Sequence, residues 1–264
     1  MNAMETERFE ARLGADEVGE LRAVIDAVSG TVGAGVPLSS PLLLFSRLDA
    51  ARRAALFAVP EGRVLVQEHL LVETRRRIVV GEPITVVSRT VAPVGDGAPC
   101  RIEVDLLDTA GAQIAEVRTA LRAVPSTSLA ASHGLPLGRA GGAGGVVRHA
   151  TGVIDAALVR RWVRLVGDDN PVHVDPVHAA ALGLAGPVVP GALMAAAAEA
   201  FLGASGEEGH LKLNMRFTGP MPIGRPGSVE VRTRAQAAER RELRLFFAAD
   251  DRIAMVADVA VGRG

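Results

Sequence analysis

The amino-acid sequence predicts an α+β protein that contains two copies of one fold. Its 264 residues are enough for two domains of about 130 residues each. A faint duplication relates the two halves: "GEPITVVSRTV" at 81–91 resembles "GRPGSVEVRTR" at 224–234, and "IAEVRTALRAV" at 114–124 resembles "IAMVADVAVGR" at 253–263. Within each half, helical patterns precede a run of strand patterns, which is typical of an α+β fold. A repeat of this length indicates two domains, since solenoid units are much shorter.

The first copy is predicted to span residues 1–124. Residues 40–57, "SPLLLFSRLDAARRAALF", have the length and apolar content of a central helix. Residues 81–91 begin at a Gly/Pro turn and continue with alternating apolar residues, which predicts a strand. Two more strands are expected in "RIEVDLLDTAGAQIAEV", joined by a turn near Gly111. Residues 125–146 are rich in Gly, Ser and Ala without periodicity, and we predict that they link the copies.

The second copy, residues 147–264, is predicted to open with a strand at 147–153. Asp155 suits the N-cap of a helix over 156–166, in which apolar residues recur at helical spacing. Gly167 suits the C-terminal end of that helix, because glycine readily takes the left-handed conformation found there.

The rest of the second copy alternates helix and strand signals. Asp175 followed by Pro176 predicts a short helix that ends near Leu182. Residues 190–203 predict a longer helix with many alanines, which a curved sheet can enclose closely. Strands are expected at about 210–218, 227–238, 241–249 and 252–262.

Composition excludes several classes of protein. The 29 basic and 30 acidic residues give no reason to expect nucleic-acid binding, which needs clustered cations. The single cysteine, Cys100, excludes a disulfide framework and a cysteine-based zinc site. We see no signal peptide, and the most apolar segment, 184–198, is interrupted by prolines and short for a membrane span. We therefore expect a cytoplasmic protein that binds neither nucleic acid nor membrane.

The stretch "GDDNPVHVDP" at 167–176 places an acid, an amide and an imidazole within six residues. Each residue alone is explained by a turn between two helices, because Asp, Asn, Gly and Pro are common turn residues. The next helix, however, has its own cap in Asp175, so the turn does not need Asp168 for capping. Asp168 and His173, held on one loop with Pro171 before the histidine, form a candidate acid–base pair.

This stretch resembles the G-D-x-N-P-x-H signature of the MaoC-like, (R)-specific enoyl-thioester hydratases and dehydratases. The match covers every fixed position, and the preceding "RRWVRLV" fits the helix that leads into the signature. The resemblance implies the hotdog fold, a curved antiparallel sheet around a central helix. It further implies that Asp168 and His173 hold and activate a water molecule, whereas Asp169, at the variable position, is not catalytic. The residues that shape the loop are then Gly167, Asn170 and Pro171.

A second feature is the predicted start of the central helix at Pro190 and Gly191. Hydration of an enoyl thioester places negative charge on the carbonyl oxygen, and a free N–H at a helix N-terminus can stabilise that charge. The family has a small residue here, usually glycine, so the resemblance implies that the backbone N–H of Gly191 is the oxyanion donor. The residue before it, usually histidine in the family, is Pro190 in this chain, which puts any role of that histidine in doubt.

The first copy has neither an acid nor a histidine at the equivalent position, near residues 32–45. Double-hotdog members of the family resemble this arrangement, with a degenerate half that widens a channel for the acyl chain. We therefore predict a double hotdog, with a degenerate hotdog at 1–124, a linker at 125–146 and a catalytic MaoC-like hotdog at 147–264. Candidates for an acyl-chain slot in the degenerate half are Leu42, Leu44, Phe45 and Leu48.

The function predicted by the resemblance is a hydro-lyase that interconverts (R)-3-hydroxyacyl and trans-2-enoyl thioesters of coenzyme A or acyl carrier protein. We expect no cofactor. We also expect no metal, because His173 and His178, with the acids near them, do not have the spacing of a known zinc motif. Two alternatives stay open: a hotdog acyl-thioesterase and a non-catalytic subunit that binds acyl thioesters. One chain already holds a pair of hotdogs, so we expect a monomer or a homodimer of such pairs.

Overall fold

The computed structural model describes residues 4–33, 35–48, 62–91, 98–131, 134–138, 145–168, 170–202, 210–237 and 240–262. The strands in this part of the chain are β1 (Met4–Ala11), β2 (Arg63–Thr74), β3 (Ile84–Val91), β4 (Cys100–Leu107), β5 (Gln113–Pro125), β6 (Leu135–Pro136), β7 (Val146–Ala150), β8 (His210–Phe217), β9 (Gly227–Gln236), β10 (Arg240–Ala249) and β11 (Arg252–Gly262). The α-helices are α1 (Ala15–Ser29), α2 (Ser126–Ala131), α3 (Ala156–Val166), α4 (Pro176–Ala181) and α5 (Gly191–Ala198), and 3₁₀ helices span Ser40–Arg47, Pro171–His173 and Glu199–Phe201.

These strands form one antiparallel sheet, in which the strand order of the second half mirrors that of the first half. The order is β1-β3-β4-β5-β2-β8-β11-β10-β9-β7, and the short β6 pairs with β11. The first five strands in this order come from the first half of the chain and the last five from the second half. The halves meet where β2 pairs with β8, from His69 opposite Arg216 to Thr74 opposite Leu211. Each half thus contributes an equivalent half-sheet, as two copies of one fold require.

Helix α5 occupies the centre of the second half. It packs against β2, β8 and α1, and Leu193 and Ala195–Ala198 are fully buried. Alanine allows close approach of helix and sheet, because only a methyl group separates the two backbones. The predicted helix at 190–203 is therefore confirmed in place, although its α-helical part ends at Ala198 and a 3₁₀ turn follows.

The predicted elements of the second half are confirmed to within a few residues. Helix α3 begins at Ala156, and its N-cap Asp155 accepts a hydrogen bond from the N–H of Leu158. Gly167 ends the helix with a positive φ of 63°. Asp175 caps α4 through the N–H groups of Val177 and His178. The four strands also lie where the alternation placed them.

The first half departs from prediction at its expected central helix, 40–57. The structure shows a 3₁₀ helix at Ser40–Arg47 instead of an α-helix, and residues 49–61 lie outside the described part of the chain. The first turns are closed by short-range bonds, from Ser40 N–H to Pro37 O and from Leu42 N–H to Ser39 O. The prolines at 37 and 41 explain the difference in part, because proline gives no N–H for α-helical bonds.

The predicted linker, 125–146, is not structureless. Its first residues form α2, and Leu135 and Pro136 pair with Ile253 and Arg252 of β11. Gly134 makes this pairing possible, because a Cβ there would lie 2.5 Å from the carbonyl oxygen of Ile253. Residues 132–133 and 139–144 lie outside the description. The division of the chain at this segment stays a prediction.

Strand β1, helix α1 and strand β2 were not predicted from the sequence. Helix α1 did carry a visible signal, since its buried residues recur at helical spacing: Val18, Leu21, Val24, Ile25 and Val28. No helix among the described residues has both the length and the apolar character needed to cross a membrane.

Candidate active site

The stretch 167–176 forms a tight loop between α3 and α4. At its start, the left-handed Gly167 turns the chain, and the N–H of Asp168 then bonds back to Val163 O at 3.0 Å. The Oδ1 atom of Asn170 accepts the N–H of Val172 at 3.2 Å. The following 3₁₀ turn is closed by the N–H of Val174, which donates to Pro171 O at 3.1 Å. This network fixes the backbone on both sides of the loop. Asp169 lies outside the described residues.

The structure brings Asp168 and His173 together. Oδ2 of Asp168 lies 3.6 Å from Nε2 of His173, and their side chains are 28% and 12% exposed. The carboxylate also accepts the N–H of Asn170 through Oδ1, at 3.2 Å. The separation is too long for a direct hydrogen bond, so the two groups face each other across a gap.

The tautomer of His173 follows from its second contact. Its Nδ1 atom lies 2.8 Å from the carbonyl oxygen of Val188. A carbonyl only accepts, so Nδ1 carries the hydrogen and Nε2 of the neutral ring has a free lone pair. The free Nε2 and the carboxylate of Asp168 are then two acceptors that face each other. A water molecule can donate to both, which makes this gap chemically suited to hold and deprotonate water.

The loop is tied to the start of the central helix. The N–H of Val188 bonds to Val172 O at 3.3 Å, and Val188 O holds His173. Helix α5 begins three residues later, at Gly191, after the N-cap Pro190. Pro190 O accepts the N–H groups of Leu193 and Met194. Among the described residues, the N–H of Gly191 has no acceptor, so it is available at the positive end of the helix.

The surroundings of Gly191 are crowded. A Cβ at this position would lie 2.6 Å from Oε1 of Gln67 and 2.7 Å from Cε1 of Phe217. The role predicted for Gly191 is that of a backbone N–H donor. The geometry shows that the space is filled by side chains from β2 and β8, so glycine is needed for packing as well.

The loop also rests against the first half of the chain. Val172 and Leu182 form a small apolar cluster with Val64 of β2. Other members of this cluster are Val66, Val124, Leu129, Leu184 and Val188. The position of the acid–base pair therefore depends on strands and a helix that the second half does not contain.

Three of the four residues predicted to line an acyl-chain slot lie in the main core. Leu42, Leu44 and Leu48 are 3%, 0% and 4% exposed. The side chain of Phe45 lies outside the description. Whether these residues contact an acyl chain stays a prediction. No group of three or more His, Cys, Asp or Glu side chains in the described ranges is arranged to hold a metal ion.

Residues 144–245 match the family model of the MaoC like domain. The match covers most of the second half of the chain and includes the motif loop and the start of the central helix. The resemblance drawn from the sequence motif is therefore confirmed. Asp168, His173 and Gly191 all lie within the matched residues. A comparison with curated proteins finds no match.

Solved structures similar to the whole chain show the fold of both halves. A MaoC-like dehydratase has 16% sequence identity and a TM-score of 0.72 over 98% of each chain. A protein from Mycobacterium tuberculosis described as having a double hotdog fold has 14% identity and a TM-score of 0.61, over 99% of this chain and 96% of that one. The predicted fold class, a double hotdog, is confirmed.

A third similar structure carries a different chemical name. It is a candidate oleoyl thioesterase from Lactobacillus plantarum, with 12% identity and a TM-score of 0.60 over 99% of this chain and 97% of that one. Since one fold hosts several reactions, the fold alone does not determine the reaction of this chain.

Proposed function

We propose that the protein is a hydro-lyase that interconverts trans-2-enoyl and (R)-3-hydroxyacyl thioesters of coenzyme A or acyl carrier protein. The observation that carries the proposal is the Asp168–His173 pair, which lies within the residues that match the MaoC like domain. Its two acceptor atoms face each other at 3.6 Å, and Val188 fixes the tautomer of the histidine. General acid–base chemistry on water needs such a pair of proton-transfer groups at fixed separation.

In the hydration direction, a water molecule donates hydrogen bonds to Oδ2 of Asp168 and Nε2 of His173. Its oxygen forms a bond to C3 of the enoyl thioester while the pair accepts one proton. The pair then returns a proton to C2, so that H and OH add across the double bond and the site is regenerated. Dehydration runs through the same steps in reverse.

Charge develops on the thioester oxygen as the C3–O bond forms. The N–H of Gly191 is the proposed donor to this oxygen, helped by the positive end of α5. The donor is held rigidly, because α5 is packed in the core and its first turn is closed on Pro190 O. A fixed donor in a half-buried site needs little reorganisation during the reaction, which is the main advantage of such a site.

The test is an assay with crotonyl-CoA that follows three signals. Loss of the enoyl absorbance reports hydration, free thiol reports thioester hydrolysis, and calorimetric titration reports binding without reaction. Dehydrogenases specific for (R)- or (S)-3-hydroxybutyryl-CoA then determine the configuration of the product. We expect hydration to the (R) product without release of thiol. Release of thiol would instead identify a thioesterase, and binding alone a non-catalytic subunit.

A further inference from the structure

The first half of the chain places one polar side chain at the start of the central helix. Gln67 lies on β2, and its Oε1 atom lies 2.6 Å from the position that a Cβ of Gly191 would take. No role was predicted for Gln67 from the sequence. Its location, beside the proposed oxyanion donor, raises the question of what this oxygen contacts during the reaction.

An irregularity in β2 directs this side chain inward. Gln67 pairs with Leu121 of β5, whereas Leu70 pairs with Thr119, and the register shifts between Gln67 and His69. Leu121 and Thr119 are two residues apart and so lie on the same face of the sheet. Gln67 and Leu70 therefore face the same side, toward the core, although regular alternation would put them on opposite sides. Bulges of this kind re-aim side chains and are frequent beside active sites.

A chain of hydrogen bonds fixes which amide atom faces the helix. Nε2 of Gln67 lies 2.9 Å from Oγ1 of Thr119, and that hydroxyl donates to the carbonyl oxygen of His69 at 3.0 Å. Since the threonine uses its hydrogen on His69, it can only accept from Gln67, so the amide nitrogen must point to Thr119. The carbonyl end of the amide, Oε1, then faces Gly191. Among the described residues, no donor reaches Oε1.

Gln67 is part-buried, so water can reach this acceptor in the free protein. When a bound substrate excludes that water, the acceptor is satisfied only if the substrate supplies a donor for it. The acyl part of an enoyl thioester carries no donor. The first donor along a pantetheine thioester is the amide N–H two methylenes beyond the sulfur, on the carrier side of the thioester. This N–H is common to coenzyme A and to acyl carrier protein.

We propose that Gln67 is a substrate-positioning residue. Its Oε1 accepts a hydrogen bond from this amide N–H while the thioester oxygen accepts one from the N–H of Gly191. Two contacts on either side of the sulfur would fix the thioester relative to Asp168 and His173. The degenerate half of the molecule then contributes directly to orientation of the reacting group. This inference rests on the proposed function, because it needs a thioester substrate.

The experiment compares two small substrates that differ in the amide. The N-acetylcysteamine thioester of crotonic acid carries the amide N–H, and the S-butyl thioester does not. For Gln67→Met we expect kcat/KM to fall about tenfold on the first substrate, the size of one lost hydrogen bond. On the second substrate we expect a change of less than about twofold. The matched control is Gln113→Met, which removes another part-buried glutamine amide of the same half, bonded to Asp105. This control should leave kcat/KM unchanged on both substrates.

The outcomes separate this inference from the proposed function. An equal loss on both substrates, or no loss, overturns the inference while leaving the proposed function standing. Wild-type protein that is folded but does not hydrate either substrate or crotonyl-CoA overturns both. If Gln67→Met does not fold, the isosteric Thr119→Val variant takes its place, because it releases the Gln67 amide without removing it. A selective loss on the amide-bearing substrate is again the supporting result, and an unselective one contradicts the inference.

Discussion

At the scale of single residues, the Asp168–His173 pair is held by backbone atoms and not by a direct bond between the two side chains. We expect Asp168→Asn and His173→Ala each to remove most of kcat, since the first replaces the carboxylate by a neutral amide that cannot take up a proton and the second removes the Nε2 acceptor. If the pair holds a single water, the double variant should be scarcely slower than either single variant, because groups that act as a unit are not additive. Steady-state kinetics of the three variants gives the comparison. Losses that multiply would show separate roles, and a collapse of kcat in Asp169→Ala would show that the other aspartate is the catalytic one.

Gly191 has two separable functions, and two substitutions distinguish them. Gly191→Ala keeps the N–H but places a Cβ within 2.6 Å of Gln67 and 2.7 Å of Phe217, so it should lower stability and shift the start of α5. Gly191→Pro adds the same crowding and also deletes the N–H. Loss of one oxyanion donor costs about 10²–10³ in kcat, and we expect the proline variant to be slower than the alanine variant by about this factor. Denaturation curves and kcat of both variants test this, and equal kcat values would exclude the N–H as the donor.

At the scale of helices and strands, the sequence predicted what is decided locally. Asp155, Gly167 and Asp175 are capping residues whose effect depends on the next few residues, so α3, the motif loop and α4 could be placed closely. The position of Gln67 depends on the register between β2 and β5, which involves residues more than fifty positions apart in the chain. Neither this bulge nor the crowding at Gly191 leaves a local pattern, so the closeness of Asp168 and His173 could be predicted and the position of Gln67 beside Gly191 could not.

The end of the central helix holds a buried carboxyl group. Oε2 of Glu199 accepts the N–H of Ser39 at 2.8 Å, and the guanidinium of Arg22 lies 3.7 Å from Oε1. Burial raises the pKa of Glu199 above its ordinary value of 4.5, and the N–H of Ser39 and the charges of Arg22 and Arg77 offset this only in part. The folded state therefore binds this proton more tightly than the unfolded state does. The stabilisation from the protonated form is complete below pH 4.5 and is lost as the pH rises through the folded-state pKa.

Glu199→Gln should remove this pH dependence. Glutamine still accepts the N–H of Ser39 but cannot ionise, so the unfolding free energy of the variant relative to wild type should increase between pH 5 and pH 8. Urea denaturation across this range measures the change. The control is Glu82→Gln: bonding to Arg76 lowers the pKa of Glu82, so its loss should cost the same stability throughout the range. If the difference in unfolding free energy between Glu199→Gln and wild type does not change with pH, the raised pKa of Glu199 is contradicted.

At the scale of the whole molecule, the two half-sheets are equivalent in order but unequal in content. The second half supplies the acid–base pair and the helix N-terminus. The first half supplies Val64 and Val66 behind the motif loop and Gln67 beside Gly191. The seam between β2 and β8 brings these groups together, so side chains of both halves lie next to the motif loop and Gly191.

The first half should also determine which acyl chains fit, through the core leucines of its 3₁₀ helix and the residue that follows it. Leu42, Leu44 and Leu48 are buried in the main core. A Leu→Ala substitution at one of these positions therefore opens space in the core, and a Leu→Phe substitution takes up space there. Each methylene that a slot buries contributes about 0.8 kcal/mol, so a deeper slot should favour a twelve-carbon over a four-carbon enoyl thioester. The measured quantity is kcat/KM for the twelve-carbon substrate divided by kcat/KM for the four-carbon substrate. At one or more of the three positions, we expect the alanine substitution to raise this ratio and the phenylalanine substitution to lower it. Because any buried Leu→Ala change costs about 2–5 kcal/mol of stability, Leu106→Ala in β4 serves as the control for general destabilisation. If the ratio moves at none of the three positions, or moves equally in the control, the leucines only support the fold.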